Sequence, residues 1–154
     1  MSFLEKIQDN LKGAMKARDE VKVSTLRFLI SAIHNAKIDK GQDLTDEDIV
    51  GVIQKQIKQR KESIEGFEQG GRADLVEKEK KELAILQEYL PEQLTDAEIK
   101  YLVEKTIKET SASTPSDMGK VMGKLSQELK GKADMSEVSS IVRQKLDLIS
   151  RESV

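Results

Sequence analysis

The chain has no cysteine and no tryptophan, 2 prolines and 1 histidine, and aromatic residues fill only 3% of its 154 positions. Each absence closes a class of chemistry. Without cysteine there can be no disulfide, thiolate metal site or cysteine nucleophile, and a reducing compartment is permitted. The single histidine, His34, rules out a histidine metal pair and has no Gly-x-Ser-x-Gly elbow to serve, so it reads as a partly exposed bystander. Gly70-Gly71 lacks the lysine and the following Ser or Thr of a phosphate-binding loop. No apolar run approaches the roughly 18 residues of a membrane span, and the opening MSFLEKIQDN has neither the basic start nor the apolar centre of a signal peptide. These features predict a soluble, cytoplasmic protein that uses no membrane, metal or cofactor. No catalytic residue is assigned, which points away from catalysis by this chain alone. The formal net charge of -2, from 26 basic and 28 acidic side chains, exerts no global pull on nucleic acid. DNA is not expected as a partner, and any RNA contact must use a local basic patch.

What is abundant is charge, at 35%, interleaved with Leu, Ile, Val and Met. That usage suits amphipathic helices and disfavours a sheet rich in aromatic residues, so the expected fold is all-α. Five candidate capping boxes mark helix starts: Ser2 with Glu5, Thr45 with Asp48, Thr95 with Glu98, Thr114 with Asp117 and Asp134 with Glu137. Each precedes an apolar stripe of helical period. Helices are predicted over 3–16, with Leu4, Ile7, Leu11 and Met15 inward, and over 20–37, 46–67 and 73–89. Pro91 closes this four-helix part. A fifth helix opens at Thr95, a sixth spans 115–130 with Pro115 at its first position and Gly131 at its stop, and a seventh spans 135–150. The terminal RESV is expected to fray. The predicted boundary lies near Glu92, separating an N-terminal helical domain of residues 1–92 from a three-helix domain of residues 93–154.

Two features depart from ordinary stripes. Arg60 and Glu79 occupy apolar positions of the third and fourth helices, and folding these helices back about Gly70-Gly71 brings the two level. They are expected to pair as a register device, with Arg27 a candidate for the same network. The second feature is Gly119 and Gly123, one turn apart on the sixth helix beside Lys120 and Lys124. Glycine in mid-helix costs about 1 kcal/mol relative to alanine, which suggests that something approaches the backbone there. One candidate is a neighbouring helix. The other is an RNA backbone, with Lys120, Lys124, Lys130, Lys132 and Arg143 supplying positive charge for sequence-independent, salt-sensitive phosphate contact.

The segments TLR (25–27), KQRKESIEGF (58–67), GRADL (71–75), ELAILQEYLPEQL (82–94), DMGKVMG (117–123) and GKAD (131–134) together resemble the YqeY family over nearly the whole chain. Family members often carry glycine where Met135 follows Asp134 here. The resemblance implies a two-part helical fold whose C-terminal part is similar to the tail domain of GatB, a subunit of tRNA-dependent amidotransferase. In that enzyme the tail helps hold tRNA, while ammonia production, ATP use and metal binding lie elsewhere. It therefore implies a tRNA-contacting module over residues 95–150, without a catalytic residue. Three functions follow as expectations: a non-catalytic tRNA-binding or translation-linked accessory protein, a helical protein-interaction module, or an auxiliary factor of the amidotransferase, a carbon-nitrogen ligase. The partners expected are tRNA, amidotransferase subunits or other translation proteins.

Overall fold

The computed structural model describes residues 1–152, and among them seven α-helices and one 3-10 turn form the regular structure, with no strand. The fold is all-α. The chain divides into two compact units, one of residues 1–90 and one beginning at Pro91. No helix of the described residues is long and apolar enough to cross a membrane.

The first unit contains α1 (Phe3–Lys16), α2 (Glu20–Lys40), α3 (Asp46–Gln69) and α4 (Ala73–Gln87). Ser2 with Glu5 and Thr45 with Asp48 form complete capping boxes, each satisfying two backbone donors that a helix start leaves open. Between α1 and α2 the chain reverses through Arg18, at a left-handed φ of 56°. Asp19 then caps α2 by accepting the Lys22 N–H at 3.2 Å. α2 runs past Lys37 to Lys40 because nothing breaks it before Gly41, whose φ of 76° closes the helix. Gly71, at φ 71°, turns the chain between α3 and α4, and the Arg72 N–H returns to the Phe67 carbonyl at 2.9 Å.

The core of this unit is built from Ile7, Leu26, Leu29, Ile33, Ile49, Ile53, Ile57 and Leu86, drawn from all four helices. Full burial of each such side chain contributes about 1.5–3 kcal/mol. Met15, expected on the inner stripe of α1, is instead 49% exposed, while Ala14 is 4% exposed. Ala14 lies two turns on from Ile7 and takes the inward direction, and α1 ends one residue beyond Met15 before any partner reaches it.

The second unit contains α5 (Asp96–Thr110), the 3-10 turn η1 (Pro115–Asp117), α6 (Met118–Leu129) and α7 (Met135–Glu152). The sixth helix was expected to begin at Pro115, but its first turn is 3-10. The Asp117 carboxylate there accepts the Ser113 and Thr114 N–H groups at 2.9 and 3.2 Å, which holds its pKa below the ordinary range. Gly131, at φ 76°, ends the α6 run, and the Lys132 N–H bonds back to Leu129 at 2.9 Å. Gln93 donates to the Gly131 carbonyl at 2.8 Å and Leu94 N–H to Lys132 at 3.0 Å, so the segment before α5 is tied to the turn between α6 and α7. Val103, Val121, Leu125, Val138, Val142 and Leu146 are fully buried in this second core, and Met135 packs on its edge. Arg151 and Glu152 continue α7, while Ser153 and Val154 lie outside the described residues.

Candidate nucleic-acid interface

Gly119 and Gly123 both lie on the exposed surface of α6. A Cβ added to either would meet no atom within 4 Å beyond its own helix backbone. The expected close approach of a neighbouring helix of this chain is therefore absent among the described residues: the helices of this unit pack on the other side of α6, against Val121, Leu125 and Leu129. Above the glycines the backbone is open.

Two ion pairs fix what flanks that open face. Lys124 reaches Glu109 of α5, and Lys145 of α7 donates to Glu104 of α5 at 2.8 Å. Each lysine marks the flank of its helix that faces α5. By the 100° step of the helix, Gly123 lies about 100° around α6 from Lys124 and faces away from the core, Gly119 and Ser126 lie about 140° and 160° from it, and on α7 Ser139 and Arg143 lie about 120° and 160° from Lys145. α6 and α7 pack on one another, and η1 packs on both.

The lysines are not equivalent. Lys124 is half paired away: its hydrogen bond to Glu109 raises its pKa and lowers that of Glu109. Lys120 is exposed and lies close enough to Asp117 to help hold that carboxyl ionised. Lys130 is exposed and engaged in an interaction of its own. Lys132 and Arg143 are exposed and have no carboxylate partner among the described residues. The second unit thus has one uncommitted guanidinium exposed on α7, and an open glycine backbone on α6 with Lys120 exposed between the glycines in sequence.

In the first unit, Arg60 of α3 donates to Glu79 of α4 at 3.1 Å and also to Glu82, a carboxylate the sequence reading left out. Glu82 is 6% exposed. Its signal was available, since Glu79 and Glu82 are spaced i,i+3 on the stripe that continues to Leu86. Arg27 does not join this network: it is exposed, and the adjacent Phe28 lies on the side toward Arg60, whose guanidinium carbon stands 5.8 Å from the ring centroid. His34 is exposed on α2. Among the described residues no group of three or more histidines and carboxylates is arranged to hold a metal ion.

Two helical units, one of four helices with a buried ion-pair cluster and one of three helices with exposed glycines on α6, place the chain in a class of small all-α modules. Its sequence matches the family described as Yqey-like protein over residues 4–146, and the chain belongs to that family. It is 38% identical over 121 residues to "Altered inheritance of mitochondria protein 41, mitochondrial" of Lachancea thermotolerans, covering 75% of this chain and 65% of that protein. It is 37% identical over 139 residues to the protein of the same name from Pyrenophora tritici-repentis, covering 89% and 76%. The Eremothecium gossypii protein of that name is 39% identical over 88 residues, where the chain spans 48% of its length. These names correct the expected cytoplasmic location, because the relatives are mitochondrial proteins. The absence of cysteine and of apolar spans fits either compartment, so composition had no power to separate them.

Proposed function

We propose that the chain is a non-catalytic RNA-contacting accessory protein whose second unit holds a tRNA backbone along the open face of α6, in a groove it would form with α7. One observation carries this reading: two exposed glycines of α6, one in its first turn and one in its interior, have open space above them, in a unit whose exposed Arg143 has no carboxylate partner among the described residues. Glycine at exposed helical positions is a cost without a packing return, and a phosphate chain lying against the bare backbone supplies a reason for it. Arg143 presents the bidentate fork suited to a phosphate, and Lys120 and Lys132 extend the positive edge. Glu109 offsets Lys124, so the predicted footprint is short and the affinity modest. Similarity of the second unit to the GatB tail directs the choice of tRNA among RNAs. A role beside amidotransferase subunits rests on that similarity alone and takes second place.

The test is filter binding of the full chain to bulk tRNA across a salt series. The expected result is binding that falls with salt, with Arg143→Glu reducing the magnitude of the log–log slope by about 1, as loss of one phosphate contact requires. Lys124→Glu, at a residue already neutralised by Glu109, has the smaller effect. Absence of binding at low salt, or equal effects of the two changes, overturns the reading.

A further inference from the structure

The outer face of α2 in the first unit carries a feature that the core does not explain. Phe28 is 61% exposed, although phenylalanine is ordinarily among the best-buried side chains. Its orientation is nonetheless set, because the Arg60 guanidinium carbon stands 5.8 Å from the ring centroid and Arg60 is itself anchored by Glu79 and Glu82. The ring borders a shallow cleft of 570 Å³, whose other lining residues are Arg18, Glu20, Val23, Ser24, Arg27 and Ser31. Arg60 does not line that cleft, so the ring surface facing it is not the one the guanidinium covers. By the 100° step of the helix, Glu20, Ser24, Arg27 and Ser31 all lie about 40–100° around α2 from Phe28 in the same direction. Arg18 joins them from the turn before α2, where it holds its left-handed φ of 56°.

Three properties of this lining select an occupant. The first is charge. The guanidiniums of Arg18 and Arg27 are exposed and have no carboxylate partner among the described residues, and the wall sets only Glu20 against them. The surplus favours an anion, and the guanidinium fork suits a phosphate. The second is the isolation of the ring, whose one apolar neighbour in the wall is the half-buried Val23. An aromatic anchor at a protein–protein contact sits in an apolar patch, and a lipid surface takes a whole apolar helix face. This wall supplies neither, since the next large apolar residue exposed on α2 is Ile38, about 15 Å further along the axis. The third is the pair of hydroxyls, Ser24 and Ser31, exposed between the ring and Arg27, which can donate to or accept from a sugar or a base edge. A single flat ring, two cations and two hydroxyls match the base, phosphate and sugar of one nucleotide. Its base must be unpaired to reach the ring, as in the loops and ends of RNA.

We infer that this cleft holds an unpaired nucleotide of an RNA strand, its base stacked on Phe28 and its phosphate on Arg27 and Arg18. The site stands on residues of the first unit alone, so it can fail while the α6 reading holds, and the reverse. The probe is an adenosine tetraribonucleotide, titrated at low salt into the full-length isotope-labelled protein and followed by NMR at the Phe28 ring protons and the Arg27 Nε–H. Saturable shifts at both groups are expected, upfield for the ring protons. Phe28→Leu keeps an apolar side chain on the same backbone and weakens binding, read at Arg27, by about fivefold or more, as loss of one base–aromatic stack requires. Phe28→Trp restores it. Arg27→Gln reduces the magnitude of the log–log salt slope by about 0.7, the single-strand value for one phosphate. Gly123→Leu, in the second unit, leaves the shifts at Phe28 unchanged, which separates this site from the α6 surface. Absence of a saturable shift at Phe28, unaltered affinity in Phe28→Leu, or loss of the Phe28 shifts in Gly123→Leu overturns the inference. So does equally tight binding at these residues by inorganic tripolyphosphate or by an acidic tetrapeptide.

Discussion

Replacing Gly123 with alanine has opposite consequences depending on what occupies the space above α6, and the structure fixes the sign. At a helix packing site an added methyl group would clash and destabilise the protein. Here the added Cβ meets nothing within 4 Å, and Gly123 sits in the interior of α6, so the full helix-propensity difference of about 0.8–1.0 kcal/mol is gained. Gly119 is the second residue of the same helix, where the first turn is less constrained, and its replacement adds less, about 0.5 kcal/mol. The double variant should therefore stabilise the second unit by about 1–1.5 kcal/mol. Because the chain has two units, a single whole-protein melt is not the right readout. Amide hydrogen exchange at Val121, Leu125 and Val142, all within the second core, reports that unit alone. Exchange through its unfolding should slow by about 5- to 12-fold. Faster exchange in the variant would mean that a neighbour needs the space, and the open-groove geometry would be wrong.

Other perturbations probe the first unit. Arg60→Ala leaves Glu82 buried and Glu79 half buried without their cation, and should destabilise that unit by about 3–5 kcal/mol in urea denaturation. The double change Arg60→Met with Glu82→Leu should recover most of this loss, and failure to do so would assign the cluster more than a register role. Gly41→Ala forces a side chain into φ 76° at the end of α2 and should cost about 1–2 kcal/mol, opposite in sign to Gly123→Ala. Asp48 has its pKa lowered to about 2, by hydrogen bonds first from Lys40 and then from the Thr45 backbone. Since the folded pKa lies below the ordinary value of 3.8, the cap's contribution is present above that value and is lost as pH falls toward 2. Asp48→Asn should flatten the acid limb of stability between about pH 4 and 2, as measured by circular dichroism.

Much of the architecture is legible because local signals repeat. The boxes at Ser2 and Thr45, the stop at Gly131 and the apolar stripes mark helices whose existence depends on nearby residues. What periodicity could not supply is the direction of groups near the edge of a stripe. Met15 and Ala14 are adjacent, and only the end of α1 decides which is covered. Arg27 and Phe28 are likewise adjacent, and α2's rotation against α3 turns the ring rather than the charge toward Arg60. The i,i+3 spacing from Glu79 puts Glu82 on the same stripe, but only the packing of α3 on α4 shows that Arg60 reaches both carboxylates. For the groove, the sequence placed glycines and lysines on one helix but could not show that Glu109 lies against Lys124, or that Arg143 is left without a carboxylate.

Whether the bare backbone of α6 is the contact surface can be decided by measuring bulk tRNA affinity of Gly123→Leu at low salt. The substitution changes no charge, enters open space and improves helix propensity, so the unit stays folded. A loss of about tenfold or more, with the second core's hydrogen exchange unchanged or slower, is predicted, because the leucine side chain would stand where a phosphate chain must lie. Affinity equal to that of the unsubstituted chain would contradict the groove as the binding site.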